Sequence, residues 1–482
     1  MNPWPALWAL VMGFFMILVD VSIVSIATPA LMREFDAGVA EVLWVTSAYA
    51  LAYAVPLLIT GRLGDRYGPK RLYLVGLAAF TLSSLACGFS TSIGQLVAAR
   101  VAQGLGASMM TPQTMAIITR TFPVDRRGTA MSLWGATAGA AFLVGPLLGG
   151  VLLDQAGWQW IFFINIPVGV LAFVAAWRLV PALPTHASGV DWVGVVLSAV
   201  GLFSVVFAIQ EGGQYGWGTI VGPISVPLLI AVGVLMLAVF IWWQGRVQPE
   251  PLVPLSLFTD RNFSLSTLAV MVQGFAVNAM FFPLLVWLQT ARDLSASQAA
   301  LVIAPQAVFS IVLAPVVGRY IDRLHPRLLP GLGMLGFSAT LLALAAVMTP
   351  DSSMGLVIVV TCFIGITSAC IWGPLATTAN RNLPMRLAGA GSGVYNLNRQ
   401  VGSTLGAAAI AAVMAARLAA EVGPGASSVA TGEGGEALAG ASPGLAEGVS
   451  TALSQSMLLP AVVLLMGAAA ALGLEQMKHR RS

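Results

Sequence analysis

Charge is the scarcest property of this sequence. Asp, Glu, Lys and Arg together make up 9% of its 482 residues, against about a quarter in an ordinary soluble protein. With 58% hydrophobic residues beside that figure, a water-soluble fold is excluded. Cysteine is nearly absent: Cys87, Cys362 and Cys370 all fall inside apolar runs, so neither a disulfide framework nor a paired-thiol metal site is indicated. The histidines His186, His325 and His479 are scattered at the edges of those runs and build no metal site. No G-x-x-x-x-G-K-[ST] loop is present, so a pump driven by nucleotide hydrolysis would need a separate subunit. Paired acids of an intramembrane enzyme are missing too, and neither catalysis nor a cofactor is expected. The formal charge of +4 is no nucleic-acid signal, because sorting of positive charge to one side of a membrane accounts for it.

What the sequence has instead is long apolar runs. A helix needs about 20 apolar residues to cross a bilayer, and fourteen runs qualify: 6–30, 42–61, 72–91, 93–118, 128–153, 159–180, 192–210, 222–244, 264–289, 298–317, 329–349, 355–377, 388–416 and 455–474. With both termini in the cytoplasm, 18 of the 23 Lys and Arg residues fall in inner loops or the tail. Three, Arg33, Arg292 and Arg417, fall outside, and Arg100 and Arg399 fall within spans. The expected fold is an all-α polytopic membrane protein. The N-terminal run lacks a basic leader and continues past Asp20 without a convincing cleavage site, so it reads as a retained helix.

Asp20 lies deep in the first run, about 21 Å from the cytoplasmic edge and about 9 Å from the outer one at 1.5 Å per residue. Such an acid is costly and marks a functional site by default, the alternative being a hydrogen bond to a neighbouring helix for packing alone. Arg100, in R-V-A-Q-G-L-G-A at 100–107, sits at a similar depth, about 10 Å from the outer edge. An intramembrane arginine needs a partner or snorkels outward.

A pattern repeats on the inner side. Residues 61–71 read G-R-L-G-D-R-Y-G-P-K-R, and 318–323 read G-R-Y-I-D-R. Gly61, Arg62, Asp65 and Arg66 map onto Gly318, Arg319, Asp322 and Arg323 with one offset of 257 residues. Two six-helix halves with the same loop after each second helix are what a duplication would leave. Spans seven and eight are then an inserted pair, arranged 6 + 2 + 6: residues 1–181, 182–248 and 249–482. The short carboxylate of Asp65 among cations suits a helix N-terminus or a fixed salt bridge that locks one conformation.

Span five holds Gly139 and then G-P-L-L-G-G at 145–150, with Gly145, Pro146, Gly149 and Gly150. Small residues there permit close helix contact and Pro146 a kink, whether for motion or for a static seam. Asn278, Phe281, Phe282 and Trp287 in span nine and Trp372 in span twelve suit a pocket for amphiphiles, or else helix packing. Span thirteen is unusually polar, with Tyr395 and Arg399 one turn apart and Asn396 beside them, which places it on a cavity or between the halves. Residues 418–454, rich in Gly, Ala and Ser, read as a disordered exterior loop.

Together these stretches resemble the major facilitator superfamily, specifically its fourteen-span drug:proton antiporter branch, over residues of about 10–406. The resemblance implies that Asp20 couples transport to protons and that Arg100 tunes its protonation. It also implies that Asp65 stabilises the outward-facing state and that the kinked fifth span limits leak. The expected function is proton-driven export of hydrophobic or amphiphilic drugs across a bacterial cytoplasmic membrane, by a monomer that meets substrate, protons and lipid. The alternative is export of an endogenous lipid or secondary metabolite, or solute import on the same fold. Spans nine to thirteen contain no carboxylate. One proton per cycle with neutral, zwitterionic or monocationic amphiphiles fits that absence, and Arg399 leaves room for an anionic or lipid-like substrate.

Overall fold

The computed structural model describes residues 2–24, 27–185, 189–247, 250–321, 323–422 and 443–476. The chain opens with α1 (Trp4–Val24), α2 (Thr28–Phe35), α3 (Val39–Ala54), α4 (Leu57–Tyr67), α5 (Pro69–Gly88) and α6 (Ile93–Thr121). It continues through α7 (Val124–Gln155), α8 (Trp160–Phe163), α9 (Asn165–Leu179), α10 (Trp192–Glu211), α11 (Val226–Gln244) and α12 (Arg261–Thr290). It ends with α13 (Ala296–Ile321), α14 (Leu328–Val347), α15 (Met354–Arg381), α16 (Ala388–Glu421), α17 (Pro443–Ser456) and α18 (Leu458–Leu472). One two-stranded hairpin, Thr219–Val221 with Ile224–Ser225, lies between α10 and α11.

Among the described residues, eleven helices are long and apolar enough to cross a membrane, or twelve if the bent pair α3 and α4 is one span. That pair bends by 46° next to Pro56, which has no N–H to continue the ladder. α6 and α7 have 29 and 32 residues but more polar side chains. The apolar stretch of α1 is 72% buried and that of α11 only 17%, so the first helix is central and α11 peripheral.

Two differences from the sequence reading concern loops. Residues 61–67 are not loop but the last turns of α4, and the reversal into α5 takes a single residue, Gly68, at φ 96°. A left-handed glycine followed by Pro69 at the first helical position supplies both stop and start. The expected exterior loop is also shorter than 418–454. α16 runs to Glu421, and α17 forms because Val449, Ala452 and Leu453 are buried against α12 and α16, with Trp287 Nε1 donating to Ser450 Oγ at 3.1 Å. Residues 423–442 lie outside the described residues.

The first and second halves meet along two seams, α4 against α16 and α7 against α13. The 257-residue offset carries α4 onto the end of α13, so the repeated stretch stands at both seams. α10 and α11 are tied to each other by Asp191, the N-cap of α10, which accepts from Gly194 N at 2.8 Å, Trp243 Nε1 at 3.0 Å and Gln244 Nε2 at 2.7 Å. Burial opposes the charge of Asp191, but hydrogen bonds from Trp243, Gly194, Gln244 and Leu252 outweigh it and hold the carboxyl below its usual range.

Candidate coupling site and central cavity

Asp20 is fully buried near the end of α1, where Arg100 of α6 reaches it: Arg100 Nη1 donates to Asp20 Oδ2 at 2.5 Å, and neither side chain is exposed. Two amides complete the site. Gln103 Nε2 and Asn165 Nδ2 each donate to Asp20 Oδ1 at 2.9 Å, and Asn165 also donates to Ser84 Oγ at 3.0 Å. Each of these partners of Asp20 is a donor, one on Oδ2 and two on Oδ1. Arg100 is held in turn by Val45 O at 3.0 Å and by the Tyr49 ring, whose centroid lies 4.0 Å from the guanidinium. The sequence singles out neither Gln103 nor Asn165, since an amide in an apolar run carries no charge to mark it.

A cavity of about 130 Å³ lies beside this cluster and between the two halves. Asp20 does not line it, but its neighbours Ile17, Leu18 and Val21 do, and Tyr49 faces both the cavity and Arg100. From the second half come Asn278, Phe281, Trp372 and Arg399, four of the eight expected cavity residues, joined by Gln306, Ser310, Ser368, Gln400 and Ser403. The other four are corrections. Phe282 turns outward, 41% exposed, because it is about 100° around the helix from Phe281. Trp287 is packed under α17. Tyr395 and Asn396 are fully buried nearer the basic end of α16 than Arg399, where α4 closes against that helix and leaves no space for a cavity.

That closure is where Asp65 acts. Its Oδ1 accepts from Gly389 N and its Oδ2 from Ala390 N, both at 3.1 Å, so the carboxylate sits on the first turn of α16, where backbone N–H groups favour negative charge. Arg120 of α6 bridges the contact, donating to Asp65 Oδ1 at 2.8 Å and to Met385 O at 2.9 Å. Gly61 admits α16: a Cβ there would stand 2.5 Å from Gly389 O. Arg62 donates to Pro251 O from Nε at 3.2 Å and Nη2 at 2.5 Å, and Arg66 lies 5.3 Å from the Tyr67 ring centroid. On the other seam a Cβ at Gly318 would stand 2.5 Å from Thr129 Cα. Arg319 and Arg323 are exposed, and Asp322 lies outside the described residues.

Within the α7 motif, Gly139 lines the cavity and Gly145 faces Ser22 of α1 so closely that a Cβ would clash with Ser22 Oγ. Gly149 is buried, a Cβ at Gly150 would meet open space, and the side chain of Pro146 lies outside the described residues.

Helices long and apolar enough to cross a membrane, packed around a central cavity with a buried acid beside it, define a multi-pass membrane protein. The chain belongs to the Major Facilitator Superfamily, whose family model matches residues 10–407. It is 47% identical to the MFS-type transporter Rv1250 of Mycobacterium tuberculosis over 98% of this chain and 81% of that one. It is 33% identical to the tetracenomycin C resistance and export protein of Streptomyces glaucescens over 86% of this chain and 77% of that one. Among solved structures, the human organic anion transporter MFSD10 shares the fold with a TM-score of 0.66 at 13% identity, covering 96% of this chain and 100% of that one.

Proposed function

We propose that this chain exports hydrophobic or amphiphilic drugs across a bacterial cytoplasmic membrane in exchange for protons, with Asp20 as the coupling acid. The observation that carries the reading is the fully buried Asp20–Arg100 pair, one tyrosine ring away from a cavity shared by both halves. A buried ion pair is poor stabilisation for its cost, which favours a part in the cycle over packing. The relative named as an export protein for tetracenomycin C supports a drug-like cargo. Counting α6 and α7 as spans on their length gives fourteen, with both termini in the cytoplasm.

The geometry described is then the state closed to the cytoplasm, held by Asp65, Arg120 and the first turn of α16. A proton from outside neutralises Asp20, loosens Arg100 and with it Tyr49, and so favours opening at the cytoplasmic end. Release of the proton inward and loading of substrate reverse the preference, and these opposite preferences supply the coupling free energy. With one pH unit and 100 mV, one proton provides about 3.7 kcal/mol, roughly 500-fold accumulation of a neutral substrate. The test is uptake of amphiphilic dyes into inverted vesicles. Accumulation that collapses on adding a protonophore is the expected result, and mere equilibration of dye, unchanged by the gradient, would exclude coupled export.

A further inference from the structure

No acid stands among the described residues that line the cavity. Among the described residues that line it, Arg399 is the one side chain carrying a full charge. Its Nη2 donates to Tyr53 Oη at 3.1 Å, while its buried Nε has no hydrogen-bond partner among the described residues. Nε and Nη2 form the side-on edge of a guanidinium, the fork that matches two oxygens of a carboxylate, so half of that fork is vacant and the other half is held by a neutral hydroxyl. Two further lining groups, Gln306 Oε1 and Ser368 Oγ, are unpartnered on residues more than nine-tenths buried. Orphaned polar atoms of this kind ask for a ligand that satisfies them. Trp372 and Phe281 supply apolar walls for its body.

Resting on the export function proposed above, we infer that the preferred substrates are amphiphiles bearing one anionic oxygen group, a carboxylate or an acidic phenol, bound side-on to Arg399. The incoming oxygens displace Tyr53. That ring is stacked on Tyr49, with centroids 6.2 Å apart, and Tyr49 carries Arg100, so occupancy of Arg399 is felt at the partner of Asp20. A monoanion leaving as one proton enters moves two positive charges inward per cycle, whereas a neutral substrate moves one and a monocation none. The membrane potential then drives export twice over.

The test compares 2-naphthoate, 2-naphthalenemethanol and 2-naphthylmethylammonium on the purified full-length protein. Equilibrium binding should favour the carboxylate at least tenfold over the alcohol. Arg399→Gln should bring the two within twofold without weakening the alcohol, and Arg399→Lys should retain part of the preference. Equal binding of carboxylate and alcohol to native protein, or equal weakening of all three probes by Arg399→Gln, would overturn the inference. In liposomes, proton release by the carboxylate with two charges per proton supports it. Release driven by the alcohol or ammonium but not the carboxylate overturns the anion site and leaves coupled export standing. Selective carboxylate binding with no proton movement for any probe does the reverse.

Discussion

At the basic end, Gly61 of α4 lets α16 approach to the distance of a backbone contact, and Gly318 of α13 does the same for α7. The same close packing stands at both positions. Around it, Asp65 is fixed by Arg120 and by two N–H groups of α16, while Arg319 and Arg323, the counterparts of Arg62 and Arg66, stand exposed. Arg62, by contrast, holds the linker at Pro251. The α4 seam is therefore closed by shape and directed charge, while at the other seam Arg319 and Arg323 stand in water and Asp322 lies outside the described residues. Exposed charges in high dielectric contribute little, so Arg319 and Arg323 add little to the closing of their seam.

The largest effect should come from Asp65→Asn, which leaves Arg120 buried without its counter-charge and weakens two charge-assisted bonds. About 3 kcal/mol of the closed state should be lost. Spin labels at Tyr67 and Arg386, both exposed, would report it as a longer distance distribution. Unchanged distances would mean that the charges at this seam are incidental. Next in size are Gly61→Ala and Gly318→Ala, where a methyl group meets backbone and costs about 2 kcal/mol each through overpacking. Because the two seams are alike in shape, the two variants should match in transport rate, and a large disparity would break the equivalence drawn here. The smallest effects belong to Arg319→Gln and Arg323→Gln. Each should shift the label distances by less than about 0.5 kcal/mol, and a shift as large as that of Asp65→Asn would show a lock at the second seam as well.

Much of this was legible in the chain. The depth of Asp20 and Arg100 brought both to one level of the bilayer, and the structure joins them. The constant offset between the two G-R-x-x-D-R stretches marked the duplication. What it could not mark is the partner of Asp65, which is the backbone of a helix 324 residues away and has no side-chain signature. Azimuth was the other missing quantity. Phe281 and Phe282 are equivalent in composition, and only the packing of α12 decides which one meets the cavity. Nothing in the sequence singles out Tyr49 or Tyr53, because their role depends on Arg100 and Arg399 from two other helices. α17 escaped notice since its Gly- and Ala-rich composition resembles a loop, and only burial against α12 and α16 reveals the apolar face.

The central claim is that a proton on Asp20 is exchanged for substrate. Its most direct test is substrate-triggered proton release from liposomes holding the native protein or Asp20→Asn, alongside exchange of labelled substrate at equal concentrations on both sides. The expected result is that Asn abolishes proton release while exchange continues, since a neutral amide can mimic the protonated acid but cannot give up a proton. Proton release that survives in Asp20→Asn would contradict the claim and place the coupling group elsewhere.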